Sequence, residues 1–187
     1  MGRLSAFIFI TLDGFLEGAK GDISWHRHGA EENSYAAESL KGGSVLLFGR
    51  VTYQMMASYW PTPAAAQDNP TVAQGMNDAS KIVFSKTLSR AEWKNTRVLS
   101  DNIVEEISKS KQASGGKNMT ILGSGTIVSL FAEHGLIDEY QIMVDPVALG
   151  RGTPIFKDLT HKLDLTLTQS RTFRSGVVLL SYQPIRS

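Results

Sequence analysis

The stretch Ile121-Leu122-Gly123-Ser124-Gly125-Thr126-Ile127 runs from an apolar segment typical of a strand, through two glycines, into a segment typical of a helix. A second stretch, Leu46-Leu47-Phe48-Gly49-Arg50-Val51-Thr52, has the same order. Glycine lets a ligand approach the backbone closely, and the first turn of the next helix offers unpaired N–H groups at the positive end of its dipole. Two such junctions in one sheet predict a site for the two phosphates of a dinucleotide. The spacing alone leaves open the alternative that these glycines only end their strands.

Strand-like and helix-like segments alternate along the rest of the chain. We predict strands at residues 3–11, 44–48, 79–85, 118–122, 136–144, 163–173 and 177–183, and helices at residues 33–40, 51–59, 102–111 and 125–134. The prolines Pro61, Pro63 and Pro70 predict a loop, Asp101 is a candidate helix cap, and Met55 and Met56 are candidate core residues. This order predicts a three-layer α/β fold in which helices flank a mixed, mostly parallel sheet that ends in a C-terminal antiparallel hairpin. We expect one domain over residues 1–187.

The composition excludes several classes of site. The 187 residues include no cysteine, which rules out disulfides, cysteine-ligated zinc, iron–sulfur clusters and cysteine nucleophiles. The 19 Lys and Arg residues against 18 Asp and Glu residues give a net charge of +1, so no overall field attracts nucleic acid or an anionic membrane. No apolar run approaches the roughly 18 residues that cross a membrane, and no targeting segment is recognised. We expect a cytoplasmic protein.

Polar and cationic residues follow two of the predicted strands. Ser85 and Lys86 come at the end of the strand at 79–85, and Arg50 follows Gly49 directly. If these residues converge, they suit a phosphate on a ribose, the group that distinguishes NADP from NAD. The alternative is that Lys86 and Arg50 are ordinary solvated side chains.

Several motifs together resemble a known family. Thr11-Leu12-Asp13-Gly14, the turn Gly49-Arg50-x-Thr52-Tyr53, Gly123-Ser124-Gly125 and Val144-x-Pro146-Val147-x-Leu149-Gly150-x-Gly152-x-Pro154-x-Phe156 occur in this order. The chain resembles the dihydrofolate-reductase-like superfamily, and more closely the reductase domain of the bifunctional riboflavin-biosynthesis deaminase/reductase RibD and its stand-alone relatives. The resemblance covers about residues 3–182. The segment from Pro146 to Phe156 is its most specific part.

The resemblance implies that the chain binds NADPH. By position, Gly49, Arg50 and Thr52 resemble the first phosphate-binding turn, and Gly123, Ser124, Gly125 and Thr126 resemble the second. Ser85 and Lys86 resemble the contacts to the adenosine ribose and its 2′-phosphate. The resemblance also implies a homodimer, because relatives in this family tend to pair.

The candidate catalytic residues are Asp13, Trp25 and Glu32. Asp13 ends the first strand, where substrate is expected, although an Asp-Gly turn is the alternative role. Trp25 lies in the loop that covers the nicotinamide in this superfamily, or it is simply a packed aromatic residue. Glu32 belongs to the helix that carries a catalytic carboxylate in folate reductases, but Glu31 and Glu38 leave the match ambiguous.

Other chemistries are weakly supported or absent. The four histidines lack the spacing of metal ligands, so no metal is predicted. The Gly-x-Ser-x-Gly elbow of serine hydrolases is missing, and so is the zinc-deaminase module of the bifunctional protein. No cationic cluster for a ribose-phosphate substrate stands out, with Arg151 as the one candidate.

We therefore predict an NADPH-dependent reductase of a small heterocyclic substrate, resembling 5-amino-6-(5-phosphoribosylamino)uracil reductase of riboflavin biosynthesis. Two alternatives stay open. One is a dihydrofolate reductase proper, and the other is a nucleotide- or flavin-binding module without catalysis. Turnover of dihydrofolate would distinguish the first alternative from the predicted reductase. NADPH binding without reduction of any substrate would distinguish the second.

Overall fold

A computed structural model describes residues 1–113 and 115–185. It contains an eight-stranded sheet whose strands are β1 (Leu4–Thr11), β3 (Val45–Gly49), β4 (Lys81–Phe84), β5 (Thr96–Leu99), β6 (Met119–Leu122), β7 (Glu139–Asp145), β9 (Leu165–Thr172) and β10 (Val178–Pro184). Their order across the sheet is β5-β4-β3-β6-β1-β7-β10-β9. The first six of these pair in parallel, and β10 pairs antiparallel with both β7 and β9. Two short strands, β2 (Phe15–Glu17) and β8 (Thr153–Pro154), form a separate ribbon.

Helices cover both faces of the sheet. They are α1 (Ala30–Lys41), α2 (Arg50–Tyr59), α3 (Pro63–Asp68), α4 (Pro70–Asp78), α5 (Ile103–Gln112) and α6 (Gly125–Glu133). Helices α5 and α6 bury Ile107 and Phe131 against one face of β1 and β6. On the other face, α2 and α4 pack Tyr53 and Met76 onto β3 and β4, and α1 places Tyr35 beside β1 and β7. The three-layer, mostly parallel fold with antiparallel C-terminal strands is confirmed.

The prediction of a loop around Pro61, Pro63 and Pro70 holds for Pro61, which lies in the turn between α2 and α3, and is wrong for the other two. Pro63 and Pro70 each occupy the first turn of a helix, where a missing N–H costs nothing. Thr62 and Asn69 cap these helices, because their side-chain oxygens accept hydrogen bonds from the N–H groups of Ala65 and Val72.

Smaller expectations also need correction. Asp101 does not cap α5: Asn102 takes that place in a left-handed conformation, and the Asp101 carboxylate accepts a hydrogen bond from Ser100. Met55 is 41% exposed, whereas Met56 packs against the core. The alternating leucines of β9 predict a half-buried strand, yet Leu167 is 50% exposed. β9 is an edge strand, and every residue of it after Leu165 is exposed, so the alternation does not produce a buried face there.

The parallel strands all end at one edge of the sheet. From β4 to β7, that edge carries in order the ends of β4, β3, β6, β1 and β7. Residues that are distant in sequence therefore meet there, as ligand sites in open α/β sheets require. None of the helices in the described ranges has the length and apolar character needed to cross a membrane.

Candidate active site

The junctions that follow β3 and β6 are joined by one hydroxyl group. Ser124 Oγ accepts a hydrogen bond from the N–H of Gly49 at 2.8 Å and donates one to Thr52 Oγ1 at 2.9 Å. The structure thus brings together Gly49, Thr52 and Ser124, three of the residues predicted to bind phosphate. The starts of α2 and α6 lie side by side as a result.

This arrangement leaves both helix N-termini suited to an anion. Ser124 is the N-cap residue of α6, a position where serine normally bonds to the first turn of its own helix. Here the hydroxyl is directed to α2 instead, and within the described chain no side chain caps either helix. The first N–H groups and the positive dipole ends of α2 and α6 can therefore hold a phosphate group. The residues present fit the pyrophosphate of a nicotinamide dinucleotide.

The two glycines of the second junction, Gly123 and Gly125, differ in what a side chain at their positions would meet. Gly123 has a φ of +57°, a left-handed conformation that favours glycine. Gly125 lies under the side chain of Leu16 from β2, and a Cβ atom there would overlap the Leu16 Cδ1 methyl group. That methyl group is the free end of a flexible side chain and can move aside, so packing alone does not require glycine at residue 125.

The residues predicted to select the 2′-phosphate lie on the outer side of this edge. Ser85 Oγ accepts hydrogen bonds from the N–H groups of Thr87 and Leu88, so it also shapes the turn after β4. Lys86 is exposed, and Arg50 is exposed with its guanidinium bonded to Gln54 one turn further along α2. Thr126, in the first turn of α6, is exposed as well.

Asp13 is held by three hydrogen bonds. Its carboxylate accepts from the Thr11 hydroxyl at 2.6 Å and from the N–H groups of Leu149 and Gly150. The bond from Thr11, followed by that from Gly150, lowers the pKa of Asp13. The carboxylate therefore stays ionised and links the end of β1 to the loop after β7. These contacts suit a turn-forming residue better than a proton donor.

Trp25 and Glu32 lie on the α1 side of the same edge. Trp25 is half-buried and donates its indole N–H to the carbonyl oxygen of Asp22. Glu32 is 5% exposed in the first turn of α1, and its carboxylate accepts a hydrogen bond from the hydroxyl of Ser175. The neighbouring Glu31 binds Arg174. Both carboxylates thus attach α1 to the turn before β10.

A buried contact between a carboxylate and a histidine at the end of β7 was not predicted from the sequence. Asp145 is fully buried, and its carboxylate contacts His26 Nδ1 at 2.7 Å and accepts a hydrogen bond from the N–H of Arg27 at 2.8 Å. The motif around Pro146 contained Asp145 only as an unspecified position. A carboxylate directly before a proline at a strand end was the one available signal.

His26 is the centre of a small aromatic and polar group. Its ring lies 3.7 Å from that of Phe9 and 4.3 Å from that of His28, measured between centroids. Desolvation lowers the pKa of His28, and His26 lowers it further, whereas Asp145 and Glu32 act in the opposite direction. Among the side chains that the structure describes, no three His, Cys, Asp or Glu residues are arranged to hold a metal ion.

The sheet order defines an α/β protein in which helices flank a mostly parallel sheet with antiparallel C-terminal strands. Residues 3–179 match the model of the RibD C-terminal domain, and the chain belongs to that family. The uncharacterized protein YyaP of Bacillus subtilis (strain 168) is 29% identical over 180 residues, which are 96% of this chain and 94% of YyaP. The resemblance inferred from the motifs is thereby confirmed.

Solved structures share the fold. A proposed riboflavin biosynthesis protein from Shewanella sp. PV-4 has a TM-score of 0.76 at 21% identity, covering 98% of this chain and 99% of that protein. A diaminohydroxyphosphoribosylaminopyrimidine deaminase/5-amino-6-(5-phosphoribosylamino)uracil reductase from Thermotoga maritima has a TM-score of 0.68 at 17% identity. That match covers 98% of this chain and 57% of the Thermotoga protein.

Proposed function

We propose that the chain is an NADPH-dependent reductase of a small heterocyclic substrate. The observation that carries the proposal is the Ser124 hydroxyl, which bonds to Gly49 of the neighbouring junction and leaves two helix N-termini uncapped by side chains in the described structure. Such a pair of N-termini suits a pyrophosphate. Membership of the RibD C-terminal domain family supports the same cofactor class.

The order of strand ends supports one direction for the bound cofactor. Ser85 and Lys86 follow β4, the glycine junctions follow β3 and β6, and Thr11 ends β1. Three strand spacings separate β4 from β1, about 14 Å at the usual distance between strands. We place the adenosine ribose and its 2′-phosphate near Lys86 and Arg50, the pyrophosphate at the glycine junctions and the nicotinamide toward β1.

The substrate then lies beyond the nicotinamide, over the ends of β1 and β7 and beside the start of α1. The cofactor, when bound, supplies a hydride, so the protein has to position the acceptor and deliver one proton. Asp145, His26 and Glu32 are buried side chains with ionisable groups at that end of the site. An aminopyrimidine is the substrate class that the name of the Thermotoga protein suggests.

The experiment has two stages. Thermal shift with NADPH and NADH tests the cofactor, because a ligand at 100 times its dissociation constant stabilises a protein by about 2.7 kcal/mol. NADPH consumption is then followed with aminopyrimidine ribosides, dihydrofolate and flavins as acceptors. Reduction of an aminopyrimidine supports the proposal. NADPH binding without consumption of any acceptor favours a non-catalytic binding module, and no binding of NADPH contradicts the proposal altogether.

A further inference from the structure

One buried nitrogen atom in the candidate site lacks a hydrogen-bond partner. The side chain of His26 is 5% exposed, and its Nε2 atom finds no partner among residues 1–113 and 115–185. No other buried side-chain nitrogen or oxygen in these ranges is left unpaired. A buried polar atom without a partner is costly, and such atoms concentrate where a ligand or a catalytic step supplies the missing bond.

The opposite nitrogen of the same ring is firmly held. Asp145 contacts Nδ1 at 2.7 Å, and the Asp145 carboxylate is itself fixed by the N–H of Arg27. A carboxylate only accepts hydrogen bonds, so the proton of the neutral ring lies on Nδ1. A second proton, when present, must then lie on Nε2, the nitrogen that has no partner. Asp145 thereby sets the form in which the imidazole gives up a proton.

We propose that His26 is the acid that protonates the substrate, and that Asp145 is the residue that positions it. This inference rests on the reductase function proposed above. The carbon of a C=N or C=O bond gains a hydride from the nicotinamide cofactor, which is oxidised. The π-electron pair of that bond moves to the heteroatom, which takes the proton from Nε2 of His26. The ring is left neutral, with its remaining proton on Nδ1 bonded to Asp145.

The other titratable groups nearby suit this role less well. The carboxylate of Asp13 is saturated by Thr11, Leu149 and Gly150, and its pKa is lowered. Glu32 is engaged by the Ser175 hydroxyl. Desolvation lowers the pKa of His28, whose ring touches that of His26 edge-on.

The position of the ring proton can be measured without any substrate. In ¹⁵N-labelled protein at about pH 9, where imidazoles are generally neutral, long-range ¹H–¹⁵N spectra distinguish Nδ1–H from Nε2–H. Single His→Gln variants assign the signals of the four histidines. We expect Nδ1–H for His26 in the wild-type protein and Nε2–H in Asp145→Asn, because the side-chain amide introduced there would donate to Nδ1. Nε2–H in the wild type, or no change in Asp145→Asn, overturns the assignment.

Turnover of an acceptor from the panel above gives the second readout. His26→Gln and Asp145→Asn should each lower the rate of NADPH consumption by about 100-fold or more and leave the NADPH dissociation constant unchanged. His134→Gln, at the exposed end of α6, is the control and should change neither. Full turnover by His26→Gln overturns the proposal. If no acceptor is reduced at all, the proposed function fails, and the ring-proton measurement still decides the assignment of His26.

Discussion

The side chain of Leu16 covers the Cα atom of Gly125 at the start of α6, and a Cβ atom at residue 125 would overlap its Cδ1 methyl group. Apart from its chain neighbours and the backbone of α6, Leu16 is the one residue of the described chain with an atom within 4 Å of that Cβ position. Because the Cδ1 methyl group ends a flexible side chain and can shift, the packing cost of a larger residue at 125 is small and separable from an effect on phosphate binding.

Gly125→Ala should therefore change the stability of the protein little, because the Leu16 methyl group can turn aside, and adding Leu16→Ala removes any remaining overlap with the new methyl group. We predict that NADPH binding stays impaired in the double variant, because the methyl group introduced at residue 125 still lies where the pyrophosphate approaches. Urea melts and NADPH titrations on Gly125→Ala, Leu16→Ala and the double variant measure both effects. Normal NADPH binding by the double variant would show that Gly125 has no role in binding phosphate.

The second prediction concerns cofactor choice. Arg50 and Lys86 are exposed at the ends of neighbouring strands, so NADPH should bind at least about tenfold more tightly than NADH. Charge-assisted hydrogen bonds contribute about 1.5–3 kcal/mol each, and 1.4 kcal/mol corresponds to a factor of ten. The Arg50→Ala/Lys86→Ala variant should lose most of that preference while its NADH affinity changes little. Equal dissociation constants for the two cofactors in the wild-type protein would contradict this assignment.

Much of the site could be predicted because its parts are local in sequence. A strand, a glycine and a helix in succession identify the junctions at Gly49 and Gly123 without any knowledge of tertiary structure. The pair of His26 and Asp145 could not be found this way. These residues are 119 positions apart, and His26 lies in the loop before α1, so neither local segment indicates that the two side chains meet.

Other elements were obscured by competing local signals. Pro63 and Pro70 read as loop residues, although proline is equally suited to the first turn of a helix when a capping residue precedes it. Thr62 and Asn69 supplied that signal. The four-residue strand β5 lies at the edge of the sheet and pairs only with β4, so its short segment carries little pattern of its own.

The third prediction concerns assembly. We propose a two-fold symmetric homodimer, with β9 in the interface because this edge strand is almost wholly exposed and carries Leu167. Sedimentation should give twice the chain mass of 20.4 kDa at micromolar concentration. Leu167→Lys should shift the protein toward monomer. Met55→Lys should not, although it also replaces a partly exposed apolar side chain, on α2, by a lysine. A wild-type protein that sediments only as a monomer would contradict the proposal.

The fourth prediction concerns the buried lysine at the start of β4. Lys81 is 1% exposed, donates to the carbonyl oxygens of Asn77 and Ala79, and lies 4.6 Å from the centre of the Trp93 ring. Burial, with a smaller contribution from Lys94, lowers the pKa of Lys81 from 10.5 to about 8. Between these two pH values the unfolded chain binds more protons, so the contribution of Lys81 to the free energy of unfolding rises with pH.

Urea melts of the wild type and Lys81→Met from about pH 7 to pH 10.5 measure that contribution as a difference, which removes the effect of other titrating groups. The wild type should gain stability relative to the variant across this range, by an amount on the order of 1–3 kcal/mol. Below about pH 8 the difference should level off. A difference that is constant over the whole range would mean that Lys81 titrates alike in the folded and unfolded chains.

A negative charge introduced at Thr126 tests most directly whether the start of α6 holds the cofactor pyrophosphate. This residue is exposed in the first turn of α6. A carboxylate there interacts favourably with the helix dipole, which stabilises the fold by about 0.3–1 kcal/mol, but it repels a phosphate. Thr126→Gln is the neutral control of nearly equal size. We predict that Thr126→Glu is the more stable variant, yet binds NADPH at least about tenfold more weakly than Thr126→Gln. If both variants fold and have equal NADPH dissociation constants, the start of α6 does not hold the pyrophosphate of NADPH.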